Sequence, residues 1–141
     1  MSEFRNLIGG EPAASSAGKT FDDVNPADTR DIVGRFQAST AADARAAVTA
    51  AAAAFDAWRK TSISKRAKVL LGAADYLEAN APRFAEEMTR EEGKSIALAK
   101  DEFLRSAQTL RFYAIEGQSF GGESFPQDDA ERLACAVDQH V

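Results

Sequence analysis

Helical periodicity runs through most of this chain and constrains its fold more than any other feature. From Thr40 onward, apolar residues recur at spacings of three and four. The first such series is Ala44, Val48, Ala51, Phe55 and Trp58. This spacing places an apolar stripe along one side of an α-helix. Thr40, with Asp43 three residues later, predicts the N-cap and capping box of that helix.

Three further segments repeat the pattern, so about four helices are predicted. The second helix is expected to end at Asn80 and Pro82, since a proline ends one helix and can occupy the first turn of the next. The third is short and stops at Gly93, which is predicted to be a left-handed C-cap. The fourth is the longest and extends to about Gly117.

The first forty residues have the pattern of short strands and turns. Strands are predicted at Phe4–Ile8, Lys19–Val24 and Asp31–Phe36, with a tight hairpin turn at Gly9 and Gly10. Three such strands would form a small antiparallel sheet, and this needs a helical layer to cover one face. The sequence therefore predicts an α+β fold with a small N-terminal sheet followed by the helices.

Charge and length exclude several function classes. The 141 residues suffice for one domain, and the net charge of -5 argues against a nucleic acid partner. No Lys/Arg cluster is evident to bind an anionic membrane surface, and the longest apolar stretch, Ala50–Phe55, is far too short to span a bilayer. No targeting segment is visible, and the single Cys135 cannot form an internal disulfide, so a cytoplasmic location is expected.

The residues themselves provide almost no catalytic site. Cys135 and the single histidine, His140, are the one possible nucleophile and base pair, and no third group orients them. No zinc-ligand cluster and no glycine-rich phosphate loop occur. The segment 93–95, Gly-Lys-Ser, is interpreted as a helix C-cap followed by an N-cap serine. The acidic run Glu86, Glu87, Glu91 and Glu92 is interpreted as a solvated helix face.

Short motifs in a fixed order extend over residues 4–133. In chain order they are Asn6-Leu7-Ile8-Gly9-Gly10-Glu11, Val24-Asn25-Pro26-Ala27, Ile32-Val33-Gly34-Arg35, Ala47–Trp58, Lys65–Asn80, Glu92-Gly93-Lys94, Ala99–Glu102 and Arg111-Phe112-Tyr113-Ala114. The series resembles the aldehyde dehydrogenase superfamily, whose members oxidise aldehydes to carboxylic acids with NAD or NADP. The resemblance implies that residues 1–133 are the leading part of that family's cofactor-binding domain.

The same resemblance shows which functional motifs are missing. The family's nucleophilic cysteine lies in a G-Q-x-C motif, and here Gly117-Gln118-Ser119 is followed by Phe120 in the cysteine's place. The general-base glutamate of E-L-G-G and the cofactor-binding W-N-F and K-P motifs do not occur. We therefore expect no catalytic residue, no cofactor-binding residue and no tight NAD(P) binding in this chain. An aldehyde substrate is expected only in a full-length relative, and the chain alone is predicted to be inactive.

Three residues are carried over from the family as site candidates. Arg105 lies three residues after Glu102, where members acting on anionic aldehydes often place an arginine; a surface ion pair with Asp101 is the alternative. Val24 and Glu91 match the positions that hold a structural monovalent cation, through a backbone carbonyl and an acid. Glutamate replaces the more usual aspartate at the second position.

Residues 134–141 depart from the family pattern and are predicted to be a divergent, disordered tail. Leu133–Val137 is a weak strand candidate with no evident partner. A frameshift or rearrangement near codon 133 is the hypothesis for this tail.

A non-catalytic role is the alternative function. Helix faces that pack on a sheet in the family would expose Val48, Phe55, Leu70 and Phe103, and such apolar patches bind partners. The chain could then act as a helical interaction module, self-associate through these faces, or bind a full-length paralogue.

Overall fold

The computed structural model describes residues 3–119, 121, 123–125 and 134–136, with backbone alone for the last two segments. In chain order the elements are β1 (Asn6–Ile8), β2 (Glu11–Ala13), β3 (Thr20–Val24), β4 (Ile32–Gln37), α1 (Ala41–Arg59), α2 (Ile63–Glu92), α3 (Ile96–Ser119), β5 (Glu123–Phe125) and β6 (Ala134–Ala136). Short strands followed by long helices confirm the predicted α+β class.

A tight hairpin begins the fold. Gly9 and Gly10 adopt φ angles of 63° and 87°, which suit the two central residues of a type I′ turn. This turn pairs Ile8 with Glu11 and continues the ladder to Asn6 and Ala13. The hairpin turn is confirmed, and β2 is an additional strand that the sequence did not predict.

The prediction of one three-stranded sheet is wrong, because the strands form separate antiparallel pairs. The turn at Gly9–Gly10 sends the chain back along β1, so β1 pairs with β2 and not with β3. β3 pairs with β4, with a register shift between Asp23 and Val24. The residues before β1 join this second pair, where the Phe4 amide donates to the Arg35 carbonyl at 2.8 Å.

Helix α1 begins with the predicted capping box. The Thr40 hydroxyl accepts hydrogen bonds from the amides of Ala42 and Asp43, and the Thr40 amide donates to the Asp43 carboxylate at 2.7 Å. The Ser16 amide donates to the same carboxylate at 2.9 Å. Asp43 is the only buried residue of α1, so this helix is held at its first turn and is otherwise largely exposed.

The prediction of four helices is wrong, because α2 continues through Pro82. Pro82 lacks the amide that would donate to the Glu78 carbonyl, a loss that ordinarily ends or kinks a helix. Ala81 and Ala85, on either side of it, are fully buried against α3. Packing along α3 therefore maintains the helix past the proline. The helix ends at Gly93, whose φ of 79° confirms the predicted left-handed C-cap.

The core is a seam of alanines between α2 and α3. A three-residue loop makes these helices antiparallel neighbours. The buried apolar residues of the described chain are Ala67, Ala74, Ala81, Ala85, Ala99, Ala107 and Ala114. No large side chain among the described residues is fully buried. Large apolar side chains therefore stay exposed, among them Leu7 at 75%, Val48 at 69% and Ile115 at 66%.

The predicted strand near residue 134 does have a partner. Ala134–Ala136 pairs antiparallel with Glu123–Phe125, a segment in which the sequence predicted no strand. Residues 137–141 lie outside the described residues. The boundary at residue 133 and the disordered tail stay predictions.

Candidate functional site

The Val24–Pro26 turn lies against the C-terminal end of α2. Two contacts hold it there. Arg90 donates to both carboxylate oxygens of Asp31, at 2.6 and 3.0 Å, and a side chain built at Gly93 would meet the Pro26 ring at 3.1 Å. Glycine at position 93 thus serves both the left-handed cap and the close approach of the proline. The motif that follows β3 and the motif that ends α2 are brought together in this way.

Electrostatics keep this junction charged over the physiological pH range. The hydrogen bonds from Arg90, followed by one from the Asn25 amide group at 3.1 Å, lower the pKa of Asp31 from 3.8 to about 2. The same hydrogen bonds to Asp31 raise the pKa of the Arg90 guanidinium. The turn and the helix end are therefore joined by a pair of full charges.

Val24 and Glu91, the two candidates for a cation site, are carried by these two elements. Val24 follows the register shift at the end of β3 and is partly exposed, and Glu91 lies exposed in the last turn of α2. A backbone carbonyl and a carboxylate are hard oxygen donors of the kind that alkali and alkaline-earth cations take. Within the part of the chain that the structure describes, no three His, Cys, Asp or Glu side chains group together as metal ligands.

Arg105, the candidate for substrate binding, lies on the exposed side of α3. It lines an open groove of about 360 Å³ together with Glu102, Ser106, Thr109 and Leu110. The alternative pairing with Asp101 is not formed, and no carboxylate of the described residues lies within 4.0 Å of the Arg105 guanidinium. The side chain is therefore available to an anion.

Glu102, the acid that precedes Arg105, is engaged elsewhere. Its carboxylate accepts a hydrogen bond from the Lys94 ammonium, which also binds Glu92 at 2.9 Å. These two carboxylates raise the pKa of Lys94. The group ties the α2–α3 loop to the first turns of α3, and Glu102 therefore does not pair with Arg105.

Sequence reasoning missed the ion pairs that join α2 to α3. Arg111 donates to Asp75 at 2.6 Å and to Glu78 at 2.8 Å, across 36 and 33 residues. Arg111 is part of the R-F-Y-A motif, but its partners lie on another helix. Only the antiparallel register of the two helices, which a single sequence does not reveal, could have identified them.

Comparisons with known proteins agree with these motifs. The model of the aldehyde dehydrogenase family matches residues 13–139. The chain is 42% identical over 130 residues to the alpha-ketoglutaric semialdehyde dehydrogenase of Bacillus subtilis (strain 168), covering 92% of this chain and 27% of that protein. It is 34% identical over 113 residues to the 2,5-dioxopentanoate dehydrogenase of Saccharolobus solfataricus, covering 80% of this chain and 24% of that protein.

A solved structure shows the same arrangement. The NAD-dependent aldehyde dehydrogenase from Sinorhizobium meliloti superposes with a TM-score of 0.88 at 29% identity, covering 96% of this chain and 28% of that one. The fold is thus that of the N-terminal part of the cofactor-binding region in such enzymes. The chain spans about a quarter of the length of the relatives it matches.

The side chains of Cys135 and His140 lie outside the described residues, so the geometry of that pair stays untested. The family match includes residues 134–139, the segment for which a foreign tail was predicted. No helix in the described part of the chain is long and apolar enough to cross a membrane.

Proposed function

Because this chain belongs to the aldehyde dehydrogenase family, we propose that it forms the leading part of the cofactor-binding domain of an enzyme that oxidises an anionic aldehyde. The substrate class is a semialdehyde that carries a carboxylate, and the oxidant is NAD or NADP. The cytoplasm is the proposed location, in keeping with the single cysteine. The observation that supports the substrate class is Arg105, an exposed guanidinium without a carboxylate partner among the described residues.

Physical chemistry favours this role for Arg105. A guanidinium binds a carboxylate through two parallel hydrogen bonds, which gives orientation as well as affinity. Ser106, the next residue along α3, and Thr109, one turn later, add hydroxyl groups to the groove. The two relatives are named for semialdehyde or dioxo-acid substrates, which carry the same kind of charge.

A chimera tests the substrate class. Residues 1–133 would replace the matching segment of the Bacillus subtilis enzyme, and the KM would be measured for alpha-ketoglutaric semialdehyde and for neutral pentanal. Arg105→Leu is expected to raise the KM for the anionic aldehyde about 10- to 100-fold, since a charge-assisted bidentate pair contributes roughly that much. The KM for pentanal is expected to stay within about twofold.

Lys100→Leu is the matched control, because Lys100 is an exposed cation on the same helix and does not line the groove. It should leave both KM values unchanged. Equal KM changes for both aldehydes in the Arg105 variant would show that Arg105 supports structure and does not bind the anion.

By itself the 141-residue chain is proposed to have no dehydrogenase turnover, since the family's nucleophile, base and cofactor motifs do not occur in it. The test is NADH formation at 340 nm by chain purified without host dehydrogenases. Turnover above the buffer blank would contradict this part of the proposal.

We also propose that a monovalent cation binds between the Val24 carbonyl and Glu91. The contacts of Asp31 with Arg90 and of Pro26 with Gly93 support this, because they hold the two donor-bearing elements side by side. The test is the melting temperature of the chain in NaCl or KCl, compared with that in choline chloride at equal ionic strength. Stabilisation by the alkali cation should disappear in Glu91→Gln.

A second candidate function is a non-catalytic interaction module, and the exposure of α1 favours it. Val48 is 69% exposed and Phe55 45% exposed, as the alternative predicted, whereas Leu70 and Phe103 are half-buried between α2 and α3. Binding of the purified chain to a full-length family member, lost in Val48→Asp with Phe55→Asp, would separate this function from the first.

A further inference from the structure

Glu102 and Arg105 line the same groove on α3 but do not bind each other. The groove has a volume of about 360 Å³ and is lined by Glu102, Arg105, Ser106, Thr109 and Leu110. The acid precedes the arginine by three residues, a spacing and an order at which opposite charges on a helix usually pair. Their charged groups are nevertheless more than 4.0 Å apart.

Pairs at this spacing do form elsewhere in the chain. Asp56 precedes Arg59 by three residues, and the two bind each other at 2.8 Å. Arg83 and Glu87, four residues apart, also pair at 2.8 Å. The helices of this protein therefore permit such contacts, and the separation of Glu102 from Arg105 has a specific cause.

That cause is Lys94, in the loop between α2 and α3. Its ammonium binds the Glu102 carboxylate and, at 2.9 Å, the carboxylate of Glu92 at the end of α2. The Lys94 side chain is 30% exposed, less than either acid. Partial burial strengthens an ion pair, and one cation between two acids forms a small network. Lys94 therefore binds Glu102 in preference to Arg105.

The backbone on both sides fixes the position of Lys94. Gly93, the residue before it, forms the left-handed C-cap of α2 and donates to the Thr89 carbonyl at 3.0 Å. The carbonyl of Ser95, the residue after it, accepts from the Ala99 amide at 3.0 Å, in the first turn of α3. The lysine thus extends from a short loop that is held at both ends.

The charge that the groove presents to a ligand depends on this lysine. One cation, Arg105, and one acid, Glu102, line the groove. While Lys94 holds Glu102, the guanidinium has no carboxylate of the described residues as a partner. Without Lys94, the Glu102 carboxylate could turn to Arg105, and the carboxylate of a ligand would have to displace it from the same donors.

Asp101 is the other acid close to Arg105 in sequence, four residues before it. Asp101 does not line the groove, and it forms no ion pair with a cation of the described residues. It therefore lies near the guanidinium in sequence without competing for it. Glu102 is the acid that shares the groove, and Lys94 is the cation that holds it.

We propose that Lys94 is a positioning residue for Arg105, holding Glu102 so that the guanidinium stays open to the carboxylate of the substrate. The inference rests on the proposed role of Arg105 in binding an anionic aldehyde. It gives a role in substrate binding to a lysine that does not itself line the groove.

Side-chain NMR of the 141-residue chain is the first test, because it does not depend on activity. The Nε–Hε signal of Arg105 is assigned from its loss in Arg105→Leu. In Lys94→Met this signal should shift, since Glu102 then becomes a partner of the guanidinium. Lys94→Met combined with Glu102→Gln should return it to its native position. A signal that stays in place in Lys94→Met would overturn the inference.

Kinetics of the chimera with the Bacillus subtilis enzyme are the second test. Lys94→Met should raise the KM for alpha-ketoglutaric semialdehyde about 2- to 5-fold, the change that corresponds to one exposed ion pair, and should leave kcat and the KM for pentanal unchanged. Adding Glu102→Gln should restore the KM. Glu102→Gln alone should leave it within about 1.5-fold, because Glu102 is already held by Lys94.

Lys94→Met combined with Asp101→Asn is the matched control. It restores the same net charge as Lys94→Met with Glu102→Gln, but it removes an acid that does not line the groove. It should restore neither the KM nor the NMR signal. Equal recovery in the two double variants would mean that only the total charge near the groove matters, and this would exclude the inference. Circular dichroism of each variant verifies that the helices are intact.

The substrate proposal and this inference fail in different ways. If Arg105→Leu does not change the KM for the anionic aldehyde, the substrate proposal is wrong, and the Arg105 signal alone decides whether Lys94 controls the partner of Arg105. If Arg105→Leu raises that KM but Lys94→Met leaves the KM or the signal unchanged, the substrate proposal stands and the role of Lys94 is wrong.

Discussion

The guanidinium of Arg90 binds both carboxylate oxygens of Asp31 across 59 residues of sequence, with donor–acceptor distances of 2.6 and 3.0 Å. The pair joins the β3–β4 turn to the last turn of α2. Apart from the Pro26 ring against Gly93, it is the chief contact that holds these two motifs together. Each motif is short, and the ion pair holds the two in contact.

Asp31→Asn is expected to lower the melting temperature by about 2–4 °C at pH 7, because it removes the charge from a partly exposed bidentate pair. The pKa of Asp31 is about 2 in the folded chain, below its ordinary 3.8. Its contribution is therefore fully present above about pH 4 and is lost as the pH falls towards 2. Melting curves of wild type and variant should converge over that window.

Asp28→Asn is the control for Asp31, since Asp28 pairs only with Arg30 inside the same turn. It should change the melting temperature by less than about 1 °C. A difference between wild type and Asp31→Asn that is as large at pH 2 as at pH 7 would show that the carboxylate charge is not the cause.

Asp43→Ala is expected to loosen the start of α1. The Asp43 carboxylate accepts from the Thr40 and Ser16 amides, and these bonds lower its pKa to about 2. Without it, amide exchange of Ser16 and of the first turn of α1 should be about 10-fold faster, since exchange follows local opening. Asp56→Ala, which removes only exposed pairs with Arg59 and Lys60, should leave those amides unchanged.

Local signals in the sequence were sufficient to predict some elements. The Thr40 cap, the Gly9–Gly10 turn and the Gly93 C-cap each depend on a few adjacent residues, and the structure confirms all three. The prediction of a helix break at Pro82 was wrong, because burial of Ala85 against another helix outweighed the tendency of proline to end a helix.

The candidate site was only partly predictable. The family motifs identified Val24, Glu91 and Arg105, but periodicity could not show which elements lie side by side. The contacts between Asp31 and Arg90 connect residues far apart in the chain. These contacts depend on how the β3–β4 turn and α2 pack against each other, and a local sequence pattern does not show this.

Ala74→Leu is expected to destabilise the chain by about 2–3 kcal/mol, because Ala74 is 0% exposed in the seam between α2 and α3. Three added carbons in so close a contact would force the helices apart. Urea unfolding followed by circular dichroism measures the change. Ala73→Leu, at an exposed position of the same helix, should be neutral within about 0.5 kcal/mol. Equal effects of the two substitutions would mean that the seam is loosely packed.

Pro82→Ala is expected to stabilise the chain, because α2 passes through Pro82 without a break. Proline in a helix interior costs about 3 kcal/mol relative to alanine, while its rigidity in the unfolded chain offsets about 1 kcal/mol. Packing of Ala81 and Ala85 on α3 reduces the realised cost, so a net gain of about 1–2 kcal/mol in the free energy of unfolding is expected.

Pro26→Ala is the control and should lower the free energy of unfolding, since Pro26 contacts Gly93 and rigidifies its turn. If a new helix began at Pro82, as the sequence suggests, proline would be favourable there and its replacement would be neutral or destabilising. The sign of the change in urea unfolding therefore decides between one continuous helix and two.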